Sequence, residues 1–128
     1  MNPATIDVTP DKNYFKGKII AVDFDGTLCS NAWPFIGDPN MELFEALRKA
    51  RSQGAHLILW SCRTGSMLKD AVMWCEKYGL YFDSVNENAP IIVAMYGGDG
   101  KKVYADIYID DKAATPKDFI KFPNAMLR

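Results

Sequence analysis

The sequence has few cysteines and no long apolar run. These two features argue against a disulfide-bonded protein and against a membrane-spanning one. Among its 128 residues are only three cysteines, Cys29, Cys62 and Cys75. Three thiols cannot all pair within one chain and no CxxC is present, so we expect reduced, buried cysteines in a cytoplasmic protein. No apolar run approaches the length of a bilayer span, and the first residues lack a signal-peptide pattern. We therefore expect no membrane partner.

An excess of charge of either sign is also lacking. The chain has 15 Lys and Arg against 16 Asp and Glu, and its net charge is -1. The basic residues form no stripe, which argues against broad nucleic-acid binding. The length suits one domain with a single sizeable core. We therefore assign residues 1–128 to one domain, in which residues 1–17 form a loose lead-in.

What the sequence does contain is an alternation of apolar strands and amphipathic helices. After the first strand come two helix–strand pairs, then a turn-rich stretch around GGDGKK, another strand and a closing helix. This order is typical of right-handed βαβ units in a parallel sheet. We predict an α/β protein, a single-domain Rossmann-like αβα sandwich of three layers with a mostly parallel central sheet. The predicted strands are KIIAVDF, HLILWS, YFDSVNEN and VYADIYID, and the predicted helices are DPNMELFEALRKARSQG, SMLKDAVMWCEKYG and TPKDFIKF.

Acidic residues follow the first and the last of the strong strands. Asp23 and Asp25 end the first strand, Ser61 ends the second, and Asp110 and Asp111 end the last. Ligand sites in parallel sheets lie beyond the carboxyl ends of the strands. Four carboxylates there would repel one another and have raised pKa values unless a cation lay among them. An all-oxygen site suits Mg²⁺, which pairs with phosphate oxygens, and a carboxylate can attack phosphorus while a second one transfers protons.

The motifs DFDGT, Ser61, a lysine before the last strand and IYIDD resemble the four motifs of the haloacid dehalogenase (HAD) superfamily of phosphotransferases. LILWSCRTG and ADIYIDDKA also resemble small HAD-like hydrolases of bacteria and phages. The resemblance implies a Mg²⁺-dependent phosphatase that acts through an aspartyl-phosphate. Asp23 would be the nucleophile and a metal ligand. Asp25 would be the general acid and base, with its backbone carbonyl on the metal.

The resemblance extends to the remaining site residues. Ser61 would bind the phosphoryl group, Asp110 would bind the metal directly, and Asp111 would do so through water. The lysine is Lys102 by spacing, with Lys101 as the alternative. No segment is long enough for a cap domain, so the site would be open. A small phosphorylated molecule is then favoured over a macromolecule, enclosed by a loop or by a second subunit of a homo-oligomer.

Several interpretations stay open from the sequence. Asp23 and Asp25, taken alone, could cap a turn. Arg63 could contact a substrate anion or be a solvated loop cation, and Trp33 and Phe35 could face a substrate or tether the loop to the core. Trp60 is predicted to be a core residue. Two other functions compete with the phosphatase: a signalling module that carries a phosphoaspartate, and a non-catalytic regulatory or binding module on the same fold.

Overall fold

A four-stranded sheet forms the centre of the protein. The computed structural model describes residues 13–126, with side chains up to residue 121. The strands are β1 (Ile19–Val22), β2 (His56–Leu59), β3 (Ser84–Val85) and β4 (Ile107–Ile109). Their order is β3-β2-β1-β4 and every pairing is parallel. The prediction of an α/β fold with a mostly parallel sheet is therefore confirmed.

Four helices connect and follow the strands: α1 (Met41–Ser52), α2 (Gly65–Lys77), α3 (Pro90–Tyr96) and α4 (Pro116–Met126). Asn40 caps α1, since its side chain accepts a hydrogen bond from the Leu43 N–H at 3.2 Å. The Thr115 hydroxyl accepts one from the Asp118 N–H at 3.1 Å. Short polar side chains are typical of both positions, because they satisfy the free N–H groups of a first turn.

The helix α3 is not among the three predicted helices. Pro90 opens the helix, where a missing N–H costs nothing. Ile92 is buried against the sheet, and Gly97 ends the helix with a φ of 75°. Seven residues are too few for helical periodicity to be read from sequence. Packing on the sheet stabilises this helix.

The sheet carries a core on each face. On one face Val22 and Leu59 pack with Phe44 of α1 and with Cys75 of α2. On the other face the buried residues are Ile19, Ala21, Ile58, Ala89, Ile92, Val103 and Ala105. Residues are therefore buried on both sides of each central strand, which explains their continuous apolar runs.

Two smaller expectations are corrected. Cys29 and Cys75 are buried, but Cys62 is exposed because it follows the end of β2. Of the lead-in, residues 1–12 lie outside the described part of the chain. Residues 13–17 are not loose, since Phe15 packs against the core and the Gly17 N–H donates to the Gly54 carbonyl at 3.1 Å. Among the described residues, no helix is both long and apolar enough to cross a bilayer.

Candidate active site

The carboxyl ends of the central strands bring three acidic side chains together. The Asp23 N–H donates to the Ile109 carbonyl at 2.9 Å, so β1 and β4 end side by side. Carboxylate oxygens of Asp23, Asp110 and Asp111 lie within 4.8 Å of one another. The predicted convergence is therefore found for three of the four carboxylates. A cleft of about 280 Å³ opens beside them, lined by Asp23, Trp60, Ser61, Cys62 and Asp110.

Gly26 allows the chain to turn beneath this cluster. Its φ of +84° is one that side chains with a Cβ rarely adopt. A Cβ at this position would also collide with the carboxylate of Asp111. The backbone conformation therefore favours glycine in DFDGT, and any larger residue would displace the carboxylate of Asp111.

We expect Gly26→Ala to displace Asp111 and to weaken the Mg²⁺ binding that the sequence predicts. The control is Gly17→Ala, because Gly17 has a φ of +76° but no atom within 4 Å of an added Cβ. Both variants should lose about 1 kcal/mol or more of folding free energy from the backbone strain. Only Gly26→Ala should also lose Mg²⁺ affinity in a calorimetric titration. Equal affinities in the two variants would contradict this role of Gly26.

Burial and the neighbouring carboxylates alter the acidity of Asp23. Burial, and then the charge of Asp110, raise the pKa of Asp23 to about 6. The Thr27 hydroxyl donates a hydrogen bond to the Asp23 carboxylate at 3.2 Å, which opposes that change. The ionised form is thus destabilised in the folded chain, first by burial and then by repulsion between like charges.

This pKa predicts how stability without metal depends on pH. Because folding raises the pKa, the folded state binds the proton more tightly, and its stability falls as the pH rises from about 4 to about 6. Asp23 is only half-buried, so solvent screens part of this effect and we expect a penalty of about 1 kcal/mol above that range. In urea titrations with chelator, Asp23→Asn should therefore be more stable than the native chain at pH 7, and the difference should vanish near pH 4. A constant difference across this range would contradict the assignment.

The fourth carboxylate, Asp25, is paired with an arginine instead. The Arg63 Nε and Nη2 donate to the two oxygens of Asp25 at 2.8 and 2.7 Å. The arginine side chain is 2% exposed, and its guanidinium also lies 5.2 Å from the centroid of the Phe24 ring. The hydrogen bonds with Asp25 raise the pKa of Arg63. The interpretation of Arg63 as a solvated loop cation is therefore wrong.

The same arginine holds the loop between β1 and α1. Its Nη1 donates to the Pro34 carbonyl at 3.3 Å and its Nη2 to the Phe35 carbonyl at 3.0 Å. These bonds and those to Asp25 engage the guanidinium within the protein, so the structure does not present it to the cleft as a substrate contact. The Trp33 and Phe35 rings are 62% and 75% exposed, so neither tethers the loop to the core.

Hydrogen bonds with Asn86 and Arg63 fix the turn that carries Ser61. The side chain of Asn86 accepts from the Ser61 N–H at 2.8 Å and donates to the Ser61 carbonyl at 2.9 Å. Asn86 has a positive φ of 54°, a conformation that asparagine tolerates better than most residues. The Ser61 Oγ accepts a hydrogen bond from the Arg63 N–H at 3.0 Å. The hydroxyl proton of Ser61 therefore remains available to a ligand.

The structure does not bring Lys102 to the carboxylates. Its ammonium lies 5.7 Å from the centroid of the Tyr108 ring, and the residue lines a different cavity from the one beside Asp23. Among the described residues, the ion pairs are Arg63–Asp25 and Arg51–Asp83, so no basic side chain neutralises the three clustered carboxylates.

The sequence analysis missed four contributions to this site. The pairing of Arg63 with Asp25 joins residues distant in sequence, so no local pattern could have shown it. Trp60 packs against the core, as predicted, but it also lines the cleft. Thr27 follows DFDG directly, so its position in the motif could have indicated a role at the site. For Asn86 the sequence offered only the general tolerance of asparagine for a positive φ.

Comparison with known proteins places the chain in a family. No protein-family model and no curated protein matches it. A solved structure of a conserved protein from Bacteroides thetaiotaomicron has 34% sequence identity to it and a TM-score of 0.67. The match covers 86% of this chain and 90% of that one. The chain therefore belongs to the same family as this conserved Bacteroides thetaiotaomicron protein.

Proposed function

We propose that this protein is a Mg²⁺-dependent phosphatase of the HAD type, which hydrolyses a phosphomonoester through an aspartyl-phosphate on Asp23. The observation that carries the proposal is the meeting of Asp23, Asp110 and Asp111 at the strand ends, where no described basic side chain pairs with them. Hard divalent cations favour such oxygen donors, and Mg²⁺ in particular combines few carboxylates with phosphate oxygens. We also propose a cytoplasmic location, for which the three free thiols argue.

The residues present fit a magnesium ion. The carboxylates of Asp23 and Asp110 and the backbone carbonyl of Asp25 would hold it, and Asp111 would hold it through water. When bound, the ion would offset the negative charge of the carboxylates and of the phosphoryl group. The cluster would then cease to be a site of repulsion, and the cation would lower the pKa of Asp23 from its raised value.

In the first half of the proposed reaction, an oxygen of Asp23 attacks phosphorus and the bond from phosphorus to the leaving oxygen breaks. Asp25 first takes up a proton from solvent and then gives it to that oxygen. The hydroxyl of Ser61 donates a hydrogen bond to a phosphoryl oxygen. Since Asp25 is held by Arg63, the proton transfer requires the carboxyl group to release at least one of those bonds.

In the second half, a water molecule attacks phosphorus and gives a proton to Asp25. The bond from phosphorus to the Asp23 oxygen breaks, which releases inorganic phosphate and restores both carboxyl groups. Lys102 could bind the phosphate only if its side chain turned from the Tyr108 ring towards the cleft.

The experiment is a phosphate-release assay over sugar phosphates, nucleotides, phosphoamino acids and p-nitrophenyl phosphate, with Mg²⁺ or with chelator. We expect release that requires Mg²⁺ and falls strongly in Asp110→Asn. Asp70→Asn makes the same change of charge at an exposed position of α2 and should leave the activity unchanged. A folded protein that releases no phosphate from any compound with Mg²⁺ present would contradict the proposal.

A further inference from the structure

A second cavity of about 340 Å³ lies on one face of the sheet, beside the acidic cleft. We call it the tyrosine cavity, because Tyr96, Tyr104 and Tyr108 line it together with Ile92 and Lys102. Its volume lies in the range of small-molecule sites. Nothing in the proposed chemistry of the carboxylates uses it.

The strand register places the cavity and the cleft on the same face. Ala21 pairs with Ile58 on one side and with Tyr108 on the other. Side chains two residues apart point to the same face of a strand, so Asp23 and Trp60 lie one step further towards the strand ends on that face. Helix α3, which supplies Ile92 and Tyr96 to the cavity, packs on this face as well.

Two aromatic rings form the wall between the cavity and the cleft. Trp60 lines the cleft beside Asp23, and Tyr108 lines the tyrosine cavity. Their ring centroids are 5.6 Å apart. A molecule whose phosphate lay at Asp23 could therefore extend across this pair of rings into the cavity.

Two of the tyrosine hydroxyls around the cavity already form hydrogen bonds within the protein. The Tyr108 hydroxyl donates to the Val103 carbonyl at 2.7 Å and accepts from the Ala105 N–H at 3.1 Å. The Tyr104 hydroxyl donates to Asp106 at 2.9 Å. Because these two hydroxyls are occupied, a ligand in the cavity would meet these tyrosines through their rings, and aromatic rings favour other flat rings.

We propose that the tyrosine cavity binds the leaving group of the phosphomonoester, and that this group carries a planar aromatic ring. The inference rests on the proposed function and adds a substrate class to it. A nucleobase and a simple aryl group share this chemistry. The Lys102 ammonium, over the Tyr108 ring, would also attract the face of an entering ring.

Substitution of Tyr96 tests the cavity with little risk to folding, because this residue is 70% exposed. The substrates are phenyl phosphate, adenosine 5′-monophosphate and glycerol 2-phosphate. We expect Tyr96→Ala to raise KM about tenfold for the two aromatic phosphates, as the loss of one stacking contact does elsewhere. KM for glycerol 2-phosphate should not change. Tyr81→Ala is the matched control, since Tyr81 is 50% exposed and lines a different cavity.

A binding measurement without turnover separates this inference from the proposed function. Adenosine and phenol, which carry no phosphate, are titrated into the native chain and the Tyr96→Ala variant, and NMR shifts are followed. Weaker binding in the variant supports the cavity even if no phosphate is ever released. The inference would be overturned if Tyr96→Ala left the binding of both probes unchanged. It would also be overturned if phosphate were released with equal KM values for aromatic and aliphatic phosphates, and the phosphatase proposal would then still stand.

Discussion

Asp23→Asn should abolish phosphate release while the protein stays folded. An amide cannot form the aspartyl-phosphate, so we expect kcat to fall by about 10⁴-fold or more. The fold should tolerate the change, because the amide oxygen can still accept the hydrogen bond from Thr27. Loss of a charge that burial and Asp110 disfavour should even stabilise the metal-free chain. Phosphate release and circular dichroism of the same sample measure both effects.

The control for this prediction is Asp70→Asn, which removes one negative charge from an exposed position of α2. Its kcat should equal that of the native chain. If Asp23→Asn kept a tenth of the native activity, another group would have to be the nucleophile.

Among the variants proposed for this protein, Arg63→Ala should lose the most folding free energy. It leaves the carboxylate of Asp25, whose side chain is 21% exposed, without its cation, and it removes two hydrogen bonds to the 33–35 loop. Removal of one partner of a buried ion pair typically costs about 3–5 kcal/mol. We expect a loss of about 3 kcal/mol of folding free energy, measured by urea denaturation. Activity should fall too, because Asp25 would lose the hydrogen bonds that fix the position of its carboxyl group.

The matched control is Arg51→Ala, which breaks the ion pair with Asp83. There the side chains of arginine and aspartate are 42% and 26% exposed. Exposed pairs contribute at most about 1 kcal/mol, so this variant should lose far less stability. The double variant Asp25→Leu, Arg63→Met should be more stable than Arg63→Ala, since no unpaired charge stays buried. Equal losses of folding free energy in Arg63→Ala and Arg51→Ala would show that the buried pair stabilises the fold no more than the exposed pair does.

The sequence was sufficient to predict the sheet and its acidic edge. Continuous apolar runs such as IIAV indicated strands covered on both faces, and Asp23 and Asp110 followed directly where those runs ended. Because parallel strands end at the same edge, residues distant in sequence could be expected to meet there. Helix caps such as Asn40 were predictable because they depend on a few neighbouring residues.

What the sequence could not show depends on contacts that only the folded chain makes. The pairing of Asp25 with Arg63 spans 38 positions, so no motif records it. The seven-residue helix α3 is too short for its periodicity to be recognised before Ile92 is known to meet the sheet. The spacing that selected Lys102 left open which way its long side chain turns, and the structure places it over Tyr108.

The most direct test of the proposed mechanism is to trap the intermediate. Protein in turnover with Mg²⁺ and p-nitrophenyl phosphate is quenched in acid and reduced with borohydride, which converts an aspartyl-phosphate to homoserine. Peptide mass spectrometry then locates the homoserine. We predict it at position 23, only in samples that contain both substrate and Mg²⁺. Continued turnover with no modification at Asp23, or with the modification at another aspartate, would contradict the account.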